Sequence, residues 1–317
     1  MFQISKMNYM KIVFLDAATM GDVSFEPIEQ LGEFVRYERS TPEEALERVA
    51  DCDVMIINKV LVTPELIDAA PDLKLICESA TGVNNIDLEY AASKCIPVRN
   101  AVGYSTSSVV QSTFMHILSL LGEGPYYDDC VKSGRYSAMD IFTDPAKNWN
   151  ELEGKTMGII GMGNIGSRVA KIAEAFGMEV CYFSTSGTGH CKDYPCLTLE
   201  ELLSESDIVS IHAPLNERTN GLIGAEEIAL MKPTAILVNM GRGGIVDESA
   251  LAKAINHGQI AGAALDVFVK EPLPADNPLL RVKHPARLRL APHAAWASVQ
   301  ARERLVAQIA QNIKAGW

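Results

Sequence analysis

The glycine pattern in the middle of the chain most constrains the fold. It is a G-x-G-x-x-G pattern formed by Gly161, Gly163 and Gly166. A strand-like apolar run at 155–160 precedes it, and a helix-like stripe and a second apolar run at 180–183 follow. This order favours a dinucleotide-binding turn over an ordinary glycine-rich loop, because the glycines allow a tight turn, a close pyrophosphate and close helix packing. Asn164 and Ile165 would begin the helix whose N–H groups face the phosphates.

The composition excludes several classes of function. With 317 residues, 48% of them hydrophobic, the chain is long enough for two globular cores. A formal net charge of −12 argues against nucleic acid or an anionic membrane as a partner. No apolar run is long enough to span a bilayer, and no signal-peptide pattern is present. Seven cysteines without a C-x-x-C pair indicate free thiols and a cytoplasmic protein. Cys191 and Cys196 near His190 fit no common zinc spacing, so no metal site is expected.

The order of apolar runs predicts two parallel α/β domains, while residues 1–10 show no clear periodicity. N-terminal strands are predicted at 11–16, 54–57, 73–77 and 97–99, and helices capped by Thr41 and Thr63 at 42–50 and 64–70. A long buried helix at 105–121 leads into the second domain, and 134–150 is expected to be a loop. Later strands are predicted at 208–212, 235–239, 262–267 and 287–291, and helices at 199–204, 225–231 and 248–257. A final helix at 298–313 is expected to return to the first domain.

Three polar residues follow predicted strands of the second domain. Arg242 lies between two glycines, Glu271 follows LDVFVK, and His293 follows LRLAP. Ligands of open parallel sheets bind beyond the carboxyl ends of the strands. Each residue alone is more readily explained as a surface residue or as a hydrogen-bonded structural residue. Together they form a chemical set, because arginine binds carboxylates, histidine exchanges protons near neutral pH, and a neighbouring carboxylate favours the imidazolium.

These residues make the chain resemble the D-2-hydroxyacid dehydrogenase family over essentially its whole length. The resemblance is carried by GMGNIG, VNMGRGGIVDESAL, LDVFVKEP and PHAAWAS, in that order and spacing. It implies two Rossmann-like, doubly wound α/β domains. The dinucleotide-binding domain (104–291) would be inserted into a split substrate, or catalytic, domain made of 1–103 plus 292–317. The resemblance also implies a homodimer through the cofactor domains, and closure of the domains on the ligand.

Within the family, ATGVNNID, YSTSSVVQ and PLPADNPLL look most like the glycerate dehydrogenase/hydroxypyruvate reductase branch. The resemblance implies that Arg242 binds the substrate carboxylate and carbonyl, that His293 is the acid/base, and that Glu271 is its partner. It implies further cofactor contacts from Ala213, Pro214, Thr219, Met240, Gly241 and Asp266. It implies substrate contacts from Asn58, Lys59, Thr81 and Gly82.

Ser184 departs from the pattern of NAD-selective relatives. Such proteins place an acidic residue at the end of the second strand, where it binds the ribose hydroxyls of the adenosine. Here that strand runs VCYFSTSG, and Ser184 occupies the expected position. The end of this strand therefore lacks the carboxylate that would repel a 2′-phosphate. It also lacks an arginine immediately afterwards that would bind one. The cofactor is therefore predicted to be NAD or NADP.

The predicted function is reduction of a small 2-oxo acid, hydroxypyruvate or glyoxylate, to D-glycerate or glycolate by hydride transfer from NAD(P)H. Two alternatives remain within the enzyme class, oxidation of D-lactate and oxidation of 3-phosphoglycerate. A third alternative is a non-enzymatic, dinucleotide-sensing protein similar to transcriptional corepressors of the same fold, since some of these retain the Arg/Glu/His set.

Overall fold

A computed structural model of the chain describes residues 10–317, so residues 1–9, for which no periodicity was found, lie outside the described residues. The chain divides into two compact units. The first comprises the described residues up to Ser105 together with Ala297–Trp317, and the second is Thr106–Trp296. The divisions lie a few residues after those predicted at 103/104 and 291/292. As the sequence predicts, one unit is inserted into the other.

The first unit contains a parallel sheet of five strands in the order β2-β1-β3-β4-β5. The strands are β1 (Lys11–Phe14), β2 (Glu33–Arg36), β3 (Val54–Ile57), β4 (Leu75–Glu78) and β5 (Val98–Arg99). Its helices are α1 (Glu26–Glu29), α2 (Pro42–Arg48), α3 (Pro64–Asp68), α4 (Leu88–Ser93) and the C-terminal α11 (Val299–Lys314). Strand β2 and helices α1 and α4 were not predicted from the sequence.

The second unit contains a parallel sheet of six strands in the order β11-β10-β9-β8-β6-β7. The strands are β6 (Thr156–Ile160), β7 (Glu179–Phe183), β8 (Ile208–Ile211), β9 (Ile236–Asn239), β10 (Gly262–Leu265) and β11 (Leu288–Leu290). The helices are α5 (Thr106–Leu121), α6 (Gly124–Lys132), α7 (Asn164–Ala175), α8 (Leu199–Glu205), α9 (Ala225–Leu230) and α10 (Glu248–His257). Short 3₁₀ helices occur at Ala17–Met20 in the first unit and at Tyr136–Ala138, Pro278–Arg281 and Pro285–Arg287 in the second.

Helices cover both faces of the second sheet. One buried cluster includes Leu203, Ile228 and Leu251, from α8, α9 and α10. Another includes Phe114 and Val169, from α5 and α7. A parallel strand that is buried on both faces reads as a continuous apolar run, which is why these strands could be predicted. The arrangement confirms the predicted doubly wound α/β class.

Each sheet reverses its strand order at one place. In the first unit β1 lies between β2 and β3, and in the second β6 lies between β7 and β8. Loops leave the sheet in opposite directions at such a point, so a crevice opens beyond the carboxyl ends of the strands. The fold thus points to the residues after β1 and β3 in one unit, and after β6 and β8 in the other. Among the described residues, no helix combines the length and apolar composition that crossing a bilayer requires.

Candidate active site

The glycine turn joins β6 to α7. Gly161 has φ +95°, a conformation that favours glycine, and a Cβ there would lie 3.0 Å from the Ala213 backbone. At Gly166 a Cβ would collide with the carbonyl oxygen of Gly161, so this glycine lets α7 begin close to its strand. A Cβ at Gly163 would meet nothing within 4 Å. The turn is therefore close-packed on the protein side and open where a ligand would approach.

Helix α7 begins without a side-chain cap, because the preceding residue is Gly163. Side chains cap other helices of the chain, namely those of Thr41, Thr63, Asp87, Thr198, Asp247 and Ser298. Asn164 is exposed at the start of α7, and Ile165 packs on the α5–α7 cluster. The N–H groups and the positive end of the helix dipole remain for an anion. These residues fit the pyrophosphate of NAD or NADP.

The loops after β8 and β9 pack on each other beside this turn. A Cβ at Gly241 would lie 2.8 Å from the carbonyl oxygen of Ala213, which also lies against Gly161. The Gly241 N–H donates to Asn239 Oδ1 at 3.0 Å. Met240, the residue between these two, is buried. Three of the predicted cofactor residues, Gly161, Ala213 and Gly241, are thus brought together by the fold.

Thr219 is fully buried inside the loop that follows β8. Its hydroxyl donates to the carbonyl oxygen of Pro214 at 2.6 Å and accepts from the Asn216 N–H at 2.9 Å. Pro214 itself is exposed. The Thr219 side chain therefore shapes the loop, and its predicted contact with the cofactor remains a prediction.

Ser184 lies directly after β7, and its side chain is buried. Its hydroxyl donates to the carbonyl oxygen of Thr188 at 2.6 Å. Arg218, from the loop after β8, donates from Nη1 to the carbonyl oxygen of Ser186 at 2.7 Å. The sequence shows no arginine immediately after β7. The tertiary structure brings one there from another loop.

His293 and Glu271 form a hydrogen-bonded pair, with 2.7 Å between Nδ1 and Oε2. The other carboxylate oxygen, Oε1, accepts from the Phe268 N–H at 3.0 Å, which fixes the carboxylate. Both side chains are partly exposed. Because Nδ1 faces Glu271, Nε2 is the ring nitrogen available to exchange a proton with a substrate.

Asp266 holds the turn that carries His293. The His293 backbone has φ +52° and its N–H donates to the Asp266 carbonyl oxygen at 2.8 Å. The buried Asp266 carboxylate accepts from the N–H groups of Ala294 at 2.7 Å and Ala295 at 3.0 Å. Burial raises the pKa of Asp266, and these two hydrogen bonds oppose the rise. Asp266 therefore positions His293, while its predicted contact with the nicotinamide remains a prediction.

Arg242 follows β9 and is half-buried. Its carbonyl oxygen accepts from Asn239 Nδ2 at 2.9 Å. A Cβ on the next residue, Gly243, would collide with the Phe268 backbone, whose N–H donates to Glu271. The loops that carry Arg242 and Glu271 are therefore in contact. Together with His293, these residues follow three adjacent strands, β9, β10 and β11.

In the first unit, Asn58 and Lys59 lie after β3 and are held by the buried carboxylate of Asp16. Asp16 Oδ1 accepts from the Asn58 N–H at 2.9 Å, and Oδ2 accepts from the N–H groups of Lys59 at 2.6 Å and Val60 at 3.1 Å. Asp16 follows β1, so this clamp spans the point where the strand order reverses. Burial raises the pKa of Asp16, opposed by these hydrogen bonds. The Lys59 side chain is exposed.

Asn85 and Glu78 brace the same loop from the other side. Asn85 Nδ2 donates to Glu78 Oε2 at 3.0 Å and to the carbonyl oxygens of Val60 at 3.1 Å and Asn58 at 3.3 Å. Glu78 is fully buried, and its Oε1 has no partner among the described residues. Burial raises the pKa of Glu78 to about 8. Sequence reasoning missed this group, although an acidic residue within the apolar run LICES is a visible signal.

Thr81 and Gly82 begin the loop after β4. The Thr81 hydroxyl donates to the Ala101 carbonyl oxygen at 2.8 Å, and the Thr81 carbonyl oxygen accepts from Asn100 Nδ2 at 2.6 Å. These bonds fix the backbone at Thr81. Thr81 is exposed and Gly82 is partly exposed, so both backbones can be reached by a small anion.

The cysteine-containing loop after β7 is joined to the glycine turn. His190 Nε2 lies 2.9 Å from the Met162 carbonyl oxygen. Cys191 and Cys196 are free thiols, as are the other cysteines. Within residues 10–317, no group of three or more His, Cys, Asp or Glu side chains is arranged to hold a metal ion.

Comparison with known proteins places this geometry among relatives. The profile described as "D-isomer specific 2-hydroxyacid dehydrogenase, NAD binding domain" matches residues 114–295. A putative 2-hydroxyacid dehydrogenase of Haemophilus influenzae is 38% identical over 96% of this chain and 97% of its own. A hydroxypyruvate reductase of Blautia hydrogenotrophica is 35% identical over 96% of each chain. A solved structure of the NADPH-dependent glyoxylate/hydroxypyruvate reductase of Sinorhizobium meliloti, with NADP and malonate, superimposes with a TM-score of 0.80 at 27% identity, covering 97% of this chain and 93% of its own.

Proposed function

This chain belongs to the D-isomer-specific 2-hydroxyacid dehydrogenase family, and from that premise we propose that it reduces hydroxypyruvate or glyoxylate to D-glycerate or glycolate. The cofactor is NAD or NADP. The observation that carries the proposal is the His293–Glu271 pair, at 2.7 Å, on loops next to the one that carries Arg242. This set lies at the carboxyl ends of the strands, as does the glycine turn of the same unit. The names of the similar reductases support the choice of substrate.

In the proposed reaction the nicotinamide cofactor, when bound, supplies the hydride. The glycine turn and the N-terminus of α7 would hold its pyrophosphate, and Ala213, Pro214 and Gly241 would line the adjoining surface. Arg242 binds the substrate carboxylate and stabilises the negative charge that develops on the carbonyl oxygen. His293 donates a proton from Nε2 to that oxygen, and Glu271 holds the ring through Nδ1.

We extend the proposal to substrate-binding residues of the first unit. These are Asn58, Lys59, Thr81 and Gly82. Asn58 and Lys59 follow β3, next to the point of strand reversal, and Asp16 fixes their backbone. The exposed Lys59 ammonium and the backbone at Thr81 and Gly82 suit a small carboxylate.

Steady-state kinetics with hydroxypyruvate and glyoxylate, using NADH and NADPH, test the proposed function. His293→Ala should lower kcat by roughly 100-fold or more, the scale of general acid catalysis, with cofactor affinity little changed. Arg242→Lys should raise KM and lower kcat, because lysine keeps the charge but loses the planar fork.

The matched control is His257→Ala, an exposed histidine of α10 in the same unit. It should turn over like the parent. If D-lactate or 3-phosphoglycerate is turned over faster than hydroxypyruvate and glyoxylate, the proposed substrate is wrong. Dinucleotide binding without turnover of any of these acids would favour the non-enzymatic alternative.

We also propose that the protein is a cytoplasmic homodimer formed through the second unit. Several apolar side chains of that unit are exposed between Met115 and Trp149. They are Met115, Leu118, Val131, Ile141, Phe142 and Trp149. Exposed apolar side chains concentrated in one region are typical of protein interfaces. Seven free thiols support a reducing compartment, which cell fractionation would test.

A further inference from the structure

The loop after β7, Ser184–Thr188, is folded around its own hydroxyl groups. Ser184 Oγ lies 2.6 Å from the Thr188 carbonyl oxygen, to which it donates, and 3.0 Å from Ser186 Oγ. The Ser184 proton is therefore already used, and the oxygen offers a ligand only lone pairs. A phosphate dianion also offers only acceptors, so Ser184 by itself does not make a phosphate site.

Arg218 supplies the missing donors from the loop after β8. Its Nη1 donates to the Ser186 carbonyl oxygen at 2.7 Å. Gly187 leaves room for this approach, because it has φ +86° and a Cβ there would lie 2.9 Å from Nη1. A guanidinium carries five N–H donors, and the Ser186 bond uses one of them. Arg218 is exposed and takes part in none of the ion pairs among residues 10–317.

The end of the second strand is where the adenosine ribose lies when the pyrophosphate is bound at the N-terminus of the following helix. A carboxylate at this position would repel a 2′-phosphate, whereas a nearby arginine accommodates it. Ser184 carries no negative charge that would repel the 2′-phosphate. Arg218 places a positive charge, which would attract it, next to Ser186. We propose that Arg218 binds the 2′-phosphate of NADP and that the protein therefore prefers NADP(H) to NAD(H). The inference rests on the proposed function for the reaction, but the binding itself does not depend on turnover.

Two other roles of Arg218 make different predictions. Arg218 could serve only to brace the loop through Ser186, or its guanidinium could stack on the adenine ring. Both roles would support NAD and NADP equally, because the two cofactors share the adenine and the ribose. Only contact between Arg218 and the 2′-phosphate would favour NADP over NAD.

Calorimetry with adenosine 2′,5′-bisphosphate and with AMP isolates that contact. The parent should bind the bisphosphate more tightly than AMP. Arg218→Gln should weaken bisphosphate binding by roughly 10- to 100-fold, the scale of a hydrogen bond to a charged group, and change AMP binding by less than about twofold. Arg218→Lys should retain part of the preference for the bisphosphate over AMP, since lysine keeps the charge but lacks the planar guanidinium fork. Ser184→Asp should reduce the same preference relative to the parent, because its carboxylate repels the 2′-phosphate.

Arg281→Gln is the matched control, because Arg281 is exposed in the same unit. Thermal unfolding of every variant shows whether the fold is retained, and Arg218→Lys carries the test if Arg218→Gln does not fold. The proposal is overturned if Arg218→Gln loses affinity for the bisphosphate and for AMP equally. It is also overturned if the parent binds the two ligands with equal affinity. The ratio of kcat/KM for NADPH and NADH should follow the calorimetry. Failure to turn over hydroxypyruvate would remove the proposed function and leave the calorimetric result standing.

Discussion

Glu271 engages both of its carboxylate oxygens, one with His293 Nδ1 and one with the Phe268 N–H. The first bond fixes the orientation of the imidazole ring, so that Nε2 is left to exchange a proton in the proposed reaction. The second holds the carboxylate in place. At the scale of single residues, Glu271 is therefore expected to orient His293.

The first prediction is that Glu271→Gln lowers kcat for reduction by roughly 10-fold or more, because a neutral amide makes a weaker hydrogen bond with His293 Nδ1 than a carboxylate does. The same substitution should add little further loss in a His293→Ala background, since Glu271 would act through His293. Glu226→Gln, at an exposed position of α9, should keep the parent kcat. An unchanged kcat in Glu271→Gln would show that the pair does not act in the reaction.

The second prediction concerns the stability effect of the buried Glu78. Its pKa is raised by burial from 4.5 to about 8, so the folded state retains a proton that the unfolded state releases. Stability conferred by this proton falls as the pH rises through this interval. Glu78→Gln removes the titration. The melting temperature of Glu78→Gln minus that of the parent should therefore increase with pH. This difference should be larger at about pH 8.5 than at about pH 5, by roughly 3 °C or more.

Differential scanning calorimetry from about pH 5 to about pH 8.5 measures this difference. Glu89→Gln, on the exposed side of α4 in the same unit, is the control and should show no such dependence. A difference that stays constant with pH would mean that Glu78 is already ionised in the folded state.

At the scale of elements, the turn after β11 depends on a carboxylate from the loop after β10. Asp266 accepts from two successive backbone N–H groups and its carbonyl oxygen accepts from His293. These bonds hold His293 at a positive φ, which is uncommon for a residue other than glycine. The position of His293 is thus set by a residue that follows a neighbouring strand.

The third prediction is that Asp266→Asn lowers kcat by roughly 10-fold or more, because an amide offers one acceptor oxygen where the carboxylate offers two. If Asp266 acts by positioning His293, the substitution should add little further loss in a His293→Ala background. Steady-state kinetics of the two single variants and the double variant measure the coupling.

Cofactor affinity separates this role from the nicotinamide contact predicted for Asp266. A loss of NADPH affinity in Asp266→Asn that persists in the double variant would show direct contact with the cofactor. Asp276→Asn, at an exposed position of the same unit, controls for the loss of a negative charge.

At the scale of the whole molecule, the six exposed apolar side chains named for the proposed interface, between Met115 and Trp149, belong to α5, to α6 and to the segment that follows. Phe142 is the most exposed of them, with 89% of its surface accessible. In a two-fold symmetric dimer each subunit would use the same patch, so one substitution changes both sides of the interface.

The fourth prediction is that Phe142→Asp weakens the proposed dimer, because it removes a large apolar side chain and would place two like charges at the interface. The dimer dissociation constant should rise by roughly 100-fold. Sedimentation equilibrium measures it against the 34.5 kDa mass of one chain. Leu280→Asp, at an exposed apolar position elsewhere in the unit, should leave the dimer intact. A monomeric parent would contradict the proposal.

The sequence by itself determined the order of elements and the chemistry of the main candidate residues. Buried parallel strands appear as apolar runs, and Thr41 and Thr63 cap helices as predicted, because these features depend on neighbouring residues. The glycine pattern likewise encodes a local turn. Strand β2 (Glu33–Arg36) was missed, since it is short, lies at the sheet edge and buries none of its residues fully.

Only the tertiary structure decided which polar groups meet. Asp16 binds the loop after β3, Asp266 binds the turn after β11, and Arg218 reaches the loop after β7. Each of these contacts joins loops that follow different strands, so the partner depends on the order of strands in the sheet. That order arises from packing helices on both faces of the sheet, and residue spacing along the chain does not contain it.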